Sequence, residues 1–212
     1  MTFDPDAVSW VTGENEVRAR HPKMLSRAEF KVLDHLDKHC RAILERSPFC
    51  VIATCAPDGF GGVDVSPRGD PPGFLRVLDD MHLLLPDRVG NNRFDNVANL
   101  FANPKIGMLV VVPGVAETLR INGTARITDD EDLLRDSAVA GRPPKIGLVI
   151  RVKEVFLHCA KALNRAKLWD PGSQIDRREL PTYAQMLADH VPDLTDEENA
   201  RQSAEMARRG MY

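Results

Sequence analysis

Apolar and polar positions along this chain change their period twice. From Phe30 onward the residues Leu33, Leu36, Cys40, Ile43 and Leu44 recur at helical spacing. Just ahead of them Ser26-Arg27-Ala28-Glu29 has the form of a capping box, a hydroxyl three residues before a glutamate. The pattern predicts a helix from Ser26 to about Glu45. The period then shortens. Phe49 to Thr54, Gly62 to Val65, Phe74 to Leu78, Met81 to Leu85, Ile106 to Val112, Thr118 to Ile127 and Lys145 to Phe156 read as strands. Turn material bounds them: Ala56-Pro57-Asp58-Gly59 closes the first, Asp79-Asp80 suits a hairpin, and Pro113-Gly114 reverses the chain. A helix is expected over Asn92 to Phe101, stopped by Asn103-Pro104, and a short acidic one over Asp130 to Asp136. The last third returns to helix over Ala160 to Leu168, Thr182 to Ala188, and from Thr195. Acidic residues open this last helix, where the macrodipole favours them.

Six or seven short, closely spaced, turn-bounded strands favour an antiparallel barrel or sandwich over a parallel α/β sheet. The expected fold is therefore mainly β with added helices. One domain is expected over residues 1–212, its barrel at about 28–170 and helical extensions at both ends.

Charge narrows the ligand question. A formal net charge of −3 gives no global reason to attract nucleic acid or an anionic membrane, so an anionic ligand must meet a local positive cluster. The longest apolar runs are too short to span a bilayer, and the N-terminus lacks the form of a secretory signal. A cytoplasmic location is the expectation. Cys40, Cys50, Cys55 and Cys159 form no C-x-x-C pair and are expected to be reduced and mostly buried.

The chemistry concentrates between Ser66 and Arg93. Ser66-Pro67-Arg68-Gly69 places a guanidinium after a strand, beside a glycine that admits close approach of a ligand. Pro86-Asp87-Arg88-Val89-Gly90-Asn91-Asn92-Arg93 follows another strand and opens the next helix. Arginines, amides and free helix N–H groups suit a phosphate. If the strands before Arg68 and Arg88 are neighbours, three arginines converge on one anion. Turn composition alone favours a plainer account, in which Asp87 and Arg88 form a surface ion pair of small worth.

The run from Ser66-Pro67-Arg68-Gly69 through Leu83-Leu84-Leu85-Pro86-Asp87-Arg88, Gly90-Asn91-Asn92-Arg93 and Asn103-Pro104 to Glu117-Thr118-Leu119-Arg120-Ile121-Asn122-Gly123 resembles the pyridoxamine 5′-phosphate oxidase-like FMN-binding family. More closely it is similar to that family's uncharacterised bacterial members. The resemblance spans about residues 28 to 170 and implies a split β-barrel that dimerises with two FMN molecules at the subunit interface. By position it implies that Arg68 is the basic phosphate ligand after the second strand. Asn91, Asn92 and Arg93 fall where the family holds the phosphate. Asn92 stands where a basic residue is expected, so Arg88 is assigned the missing charge. Thr118 falls where a polar side chain reaches the flavin ring from the other subunit. Ser66 and Lys161 complete the candidate cofactor set.

The implied activity is hydride exchange between FMN and an unidentified small molecule, with no catalytic residue singled out. Leu168-Trp169-Asp170-Pro171 departs from the C-terminal Trp and Arg pattern of the true oxidases, so vitamin B6 oxidation is not expected. Two alternatives stay open. One is a deazaflavin (F420) reductase on the same barrel. The other is a non-catalytic flavin or haem module, for which His82 and His158 are the barrel's candidate axial ligands. Glu117 and Arg120 fit a cleft or an exposed ion pair. Lys161, Asn164 and Arg165 fit a cofactor contact or a solvated helix face. Trp169 fits a flavin stack or a buried anchor. His35 and His39 have the spacing of two metal ligands beside Asp37 and Cys40, but no third ligand is evident, and no metal is expected.

Overall fold

The computed structural model describes residues 3–56, 62–191 and 195–210. The turn Ala56-Pro57-Asp58-Gly59 lies outside the described residues apart from Ala56. The chain divides into two compact units, Met1–Val32 and Leu33–Tyr212. The first holds a single 3₁₀ turn at Pro5–Ala7 and two short helices, α1 (Glu14–Ala19) and α2 (Ser26–Phe30). On α1, Arg18 pairs with Glu14 and Arg20 with Glu16, ion pairs between exposed side chains one helical turn apart.

The second unit is built on seven strands: β1 (Phe49–Cys55), β2 (Val63–Gly69), β3 (Arg76–Val77), β4 (His82–Pro86), β5 (Lys105–Val111), β6 (Thr118–Thr128) and β7 (Gly147–His158). They form one antiparallel sheet in the order β2-β1-β5-β6-β7-β4-β3. Helices α3 (Lys38–Leu44), α4 (Asp95–Ala102), α5 (Glu131–Arg135), α6 (Lys161–Ala166), α7 (Tyr183–His190) and α8 (Asp196–Arg209) surround it or follow it. No described helix is long and apolar enough to cross a membrane.

Alternation builds the core. Cys50 and Ile52 of β1, Ile106, Met108 and Val110 of β5, and Leu119 and Ile121 of β6 share one face and are buried. Leu148, Ile150 and Val152 of β7 join them, with Leu36 from the segment before α3 and Cys40 and Leu44 from α3 itself. The two longest strands, β6 and β7, slip register between Asn122 and Gly123. A Cβ on Gly123 would meet the Arg151 carbonyl oxygen at 2.1 Å, so only glycine fits this bulge.

The sheet curls into a split barrel. Strand β2 is at one edge and β4 lies beside the other, yet Arg68 of β2 is 3.0 Å from Asp87, just past β4. Asp70, just past β2, is 2.6 Å from Arg88. Side-chain ion pairs therefore join the two edges where no ladder does. Helix α4 packs against β1, β2 and β6 beside this seam.

Four sequence expectations need correction. The helix drawn from Ser26 to Glu45 is two helices. Asp37 caps α3 by accepting from His39 N and Cys40 N, and Leu33 between the helices exchanges backbone hydrogen bonds with Val155. Strand β4 ends at His82, opposite Arg151, which leaves the edge of β7 open for Leu33 beyond it. The helix drawn from Asn92 begins at Asp95, because Asn92 and Phe94 both adopt a left-handed φ of 57°. Strand β2 runs on to Gly69, so Ser66 and Arg68 lie within it. The hairpin is present with a shorter β3 and a wider turn, in which Asp79 accepts from Met81 N and His82 N.

Candidate functional site

The pairing register of β2 decides what its polar residues face. Arg68 lies opposite Cys50, Ser66 opposite Ile52 and Asp64 opposite Thr54, so these three share the inner face of the sheet. Between that face and the segment from Asp87 to Val97 lies a cavity of about 310 Å³. Ser66, Arg68, Arg88, Asn91, Asn92 and Arg93 all line it, six of the eight predicted cofactor residues. Thr118 and Lys161 do not. Thr118 is buried at the start of β6 opposite His158, and Lys161 is exposed at the start of α6.

Arg68 is held by two side chains of the site. Its Nη1 donates to Asp87 Oδ1 at 3.0 Å and its Nη2 to Asn96 Oδ1 at 3.3 Å. Asn96 is itself buried and donates its amide to Thr54 Oγ1 at 2.9 Å, which fixes which of its ends faces Arg68. Arg68 Nε is buried without a hydrogen-bond partner among the described residues. A buried donor left open is costly, and it marks where an acceptor belongs. Burial pushes the Asp87 carboxyl above the usual carboxylate range, against the opposing pull of Arg68 and Arg88.

The other arginines are placed differently. Arg88 donates from Nε to Asp70 Oδ2 and from Nη2 to the Ser137 carbonyl, each at 2.6 Å. Arg93 is exposed; its Nε reaches Asp95 Oδ2 at 2.6 Å, and its backbone N–H donates to Asn91 Oδ1. With Asp64, the charged lining amounts to three arginines and three aspartates, a formally neutral wall. Sequence reading missed this balance, along with Asn96 and Thr54. The partners lie far apart in the chain, and only the curl of the sheet joins them.

A second cavity, about 570 Å³, shares Asp87, Arg88, Asn92 and Phe94 with the first. Val89, Pro144 and Ile146 give it an apolar wall, and Arg142 and Lys145 belong to its lining.

The remaining candidates have defined places elsewhere. Trp169 donates its indole N–H to the Val115 carbonyl at 2.9 Å, tying the C-terminal segment to the turn between β5 and β6. Arg120 stands 5.5 Å over the Phe156 ring, a cation–π contact. His82 Nδ1 faces the Asp79 carboxylate, and His158 is exposed at the end of β7. His35 Nδ1 bonds Asp34 and Asp37 is spent on capping α3; no three metal-ligating side chains converge among the described residues. Cys40 and Cys50 are buried, Cys55 is half-buried and Cys159 is exposed, all four as free thiols.

Comparison with known proteins adds three observations. A family model described as pyridoxamine 5′-phosphate oxidase matches residues 36–159. No curated protein matches the chain. Among solved structures, HupZ of Group A Streptococcus is similar at 20% identity over 57% of this chain and 92% of its own, with a TM-score of 0.46. A pyridoxamine 5′-phosphate oxidase homologue from Lactobacillus delbrueckii gives 21% identity over 58% of this chain and 95% of its own, with a TM-score of 0.43. An FMN-binding protein from Syntrophomonas wolfei gives 12% identity over 68% and 96%, with a TM-score of 0.42.

Proposed function

The chain belongs to the pyridoxamine 5′-phosphate oxidase family, and from that premise we propose that it is an FMN-binding redox protein acting on a small molecule in the cytoplasm. The observation that carries this reading is the open, buried Arg68 Nε on the wall of a cavity that Ser66, Asn91, Asn92 and Arg93 also line. These groups fit a phosphate ester: a guanidinium already oriented by Asn96, a second one on a loop, a hydroxyl and two amides. Arg88 braces the site through Asp70 and Ser137 and adds its charge to the wall. When bound, the flavin supplies hydride or electron exchange at its ring, and the protein holds and orients it.

A homodimer accounts for the residues the cavity lacks. Val63, Val65 and Pro67 of β2, Phe49, Val51 and Ala53 of β1, and Gly107 and Leu109 of β5 form one outward sheet face by register. Val63 is 63% exposed and Val65 62%, unusual for adjacent positions of an apolar face unless something covers it. The face turns polar at Arg120 and Asn122 of β6. By the family resemblance, Thr118 and Lys161 of one protomer serve the cofactor of the other across such a dimer.

The second cavity favours one alternative. A group esterified beyond the phosphate would enter it, and Arg142 and Lys145 suit an acidic tail, as deazaflavin (F420) carries. The test is the visible spectrum of the purified protein with and without added FMN, followed by mass analysis of released ligand. Flavin bands that weaken in Arg68→Ala, with Kd for FMN raised about 10- to 100-fold and riboflavin unaffected, support the reading. Absorbance at shorter wavelength supports deazaflavin. A colourless protein that ignores FMN overturns the flavin assignment.

A further inference from the structure

Each arginine on the wall of the proposed phosphate site arrives with an aspartate, and the three pairs differ in how they could meet an incoming anion. Arg93 and Asp95 are solvated, with side chains 70% and 41% exposed, so water screens both charges. Arg88 is committed to Asp70, whose side chain is almost fully buried and lies outside the first cavity's lining. Arg68 and Asp87 both line the cavity, with side chains 23% and 18% exposed. A phosphate that reached Arg68 Nε would stand beside the Asp87 carboxylate on the same guanidinium, with little water to separate the charges.

We propose that Asp87 is the resident counter-ion of the phosphate site, sharing the Arg68 guanidinium with the flavin phosphate, and that it takes up one proton as the phosphate binds. The inference rests on the flavin reading above and adds a residue that determines how phosphate is recognised. Two anions sharing one cation cannot both stay fully ionised cheaply, and the buried carboxylate is the one that a proton from solvent makes neutral, since a phosphate ester remains at least a monoanion. Its charge is then gone, and its new O–H donates to a phosphate oxygen instead of competing for Arg68. Burial already favours the neutral carboxyl.

The charges facing Asp87 are Arg68 and Asp64 from β2, and Arg88, Arg93 and Asp95 from its own segment and α4. Arg142 and Lys145 come from the segment before β7. Among the described residues no histidine lines either cavity, and of the lining carboxylates Asp87 is the one bonded to Arg68.

The experiment is calorimetric titration of FMN into wild-type protein and Asp87→Asn, in buffers of different ionisation enthalpy, from pH 5 to 8. FMN's own phosphate ionises near pH 6, and comparing the two proteins with one ligand cancels that contribution. Wild type should take up close to one proton more than the variant. The ratio of Kd in wild type to Kd in Asp87→Asn should be flat at low pH. Above the pH at which Asp87 ionises in the free protein it should climb, by up to about tenfold per pH unit. Riboflavin, without a phosphate, should show no difference in proton count. Equal proton counts with FMN, or weaker FMN binding by Asp87→Asn at every pH, overturn the proposal. Asp87→Ser serves the same comparison if the asparagine variant does not fold. Wild-type protein that binds neither FMN nor riboflavin overturns the flavin reading itself, a result distinct from the others.

Discussion

Arg88→Ala should be among the most damaging single changes at the barrel seam, and its cost can be worked from the structure. The Arg88 Nε to Asp70 Oδ2 distance is 2.6 Å, and the two side chains are 16% and 1% exposed. Asp70 Oδ1 is buried and has no hydrogen-bond partner among the described residues, so the carboxylate leans on Arg88. Removing the guanidinium strands that charge and also bares the Ser137 carbonyl. Breaking a buried pair from one side typically costs about 3–5 kcal/mol. Coulomb's law gives about 4 kcal/mol for charge centres about 4 Å apart at an effective dielectric of about 20. Both routes land near 4 kcal/mol, which for a domain of this size lowers Tm by about 8–16 °C. Urea unfolding of ligand-free protein at pH 7 measures it. Asp70→Leu with Arg88→Met should recover most of the loss, since it removes both charges and keeps apolar volume. Arg93→Ala, whose pair is exposed, should leave stability unchanged. A loss below about 1 kcal/mol in Arg88→Ala would refute the idea that this pair holds the seam.

Gly123→Ala should cost about 1–3 kcal/mol in urea unfolding, because its Cβ would overlap the Arg151 carbonyl at 2.1 Å and backbone must move; a smaller effect would mean the bulge adapts. Val65→Glu should give a monomer in sedimentation at concentrations where wild type is a dimer, and an unchanged dimer would move the interface elsewhere. Burial pushes the Cys50 thiol up to about 12 in the folded chain, against about 9 when unfolded. Above pH 9 the unfolded state therefore releases a proton that the folded state keeps, and stability falls with rising pH by up to about 1.4 kcal/mol per unit. The buried Cys40 thiol is pushed up in the same way, so Cys50→Ala should lessen the decline between pH 9 and 11 by its own share, and identical slopes would remove Cys50 as a source.

The strands were legible because alternation is written locally: β1, β5 and β6 fall within a residue or two of their predicted bounds. The break before α3 was not, because Phe30, Leu33 and Leu36 keep helical spacing while Leu33 answers to the open edge of β7, a partner more than a hundred residues away. The start of α4 was misplaced for a related reason. Asn92 and Phe94 take left-handed backbone that their sequence does not announce, although Asn tolerates it. At the site, the three arginines, the two amides and Ser66 could be read from turn composition, and all six do share a cavity. Their aspartate partners could not. Asp87 reads as a turn residue until the curl of the sheet brings it to Arg68, and Asn96 as a helix residue until Thr54 fixes its amide.

The seam described above also says something about time. Strands β1 and β2 form a local hairpin, and β6 and β7 pair over their whole length, but the contacts joining β2 to the end of β4 require every intervening strand to be in place. Contacts that close a curled sheet are made late, after the folding barrier has been crossed. Loss of Arg88 should then leave the refolding rate almost untouched and fall nearly whole on unfolding. The two ion pairs would act as a latch on the folded chain, setting how long a barrel stays shut more than how fast it forms.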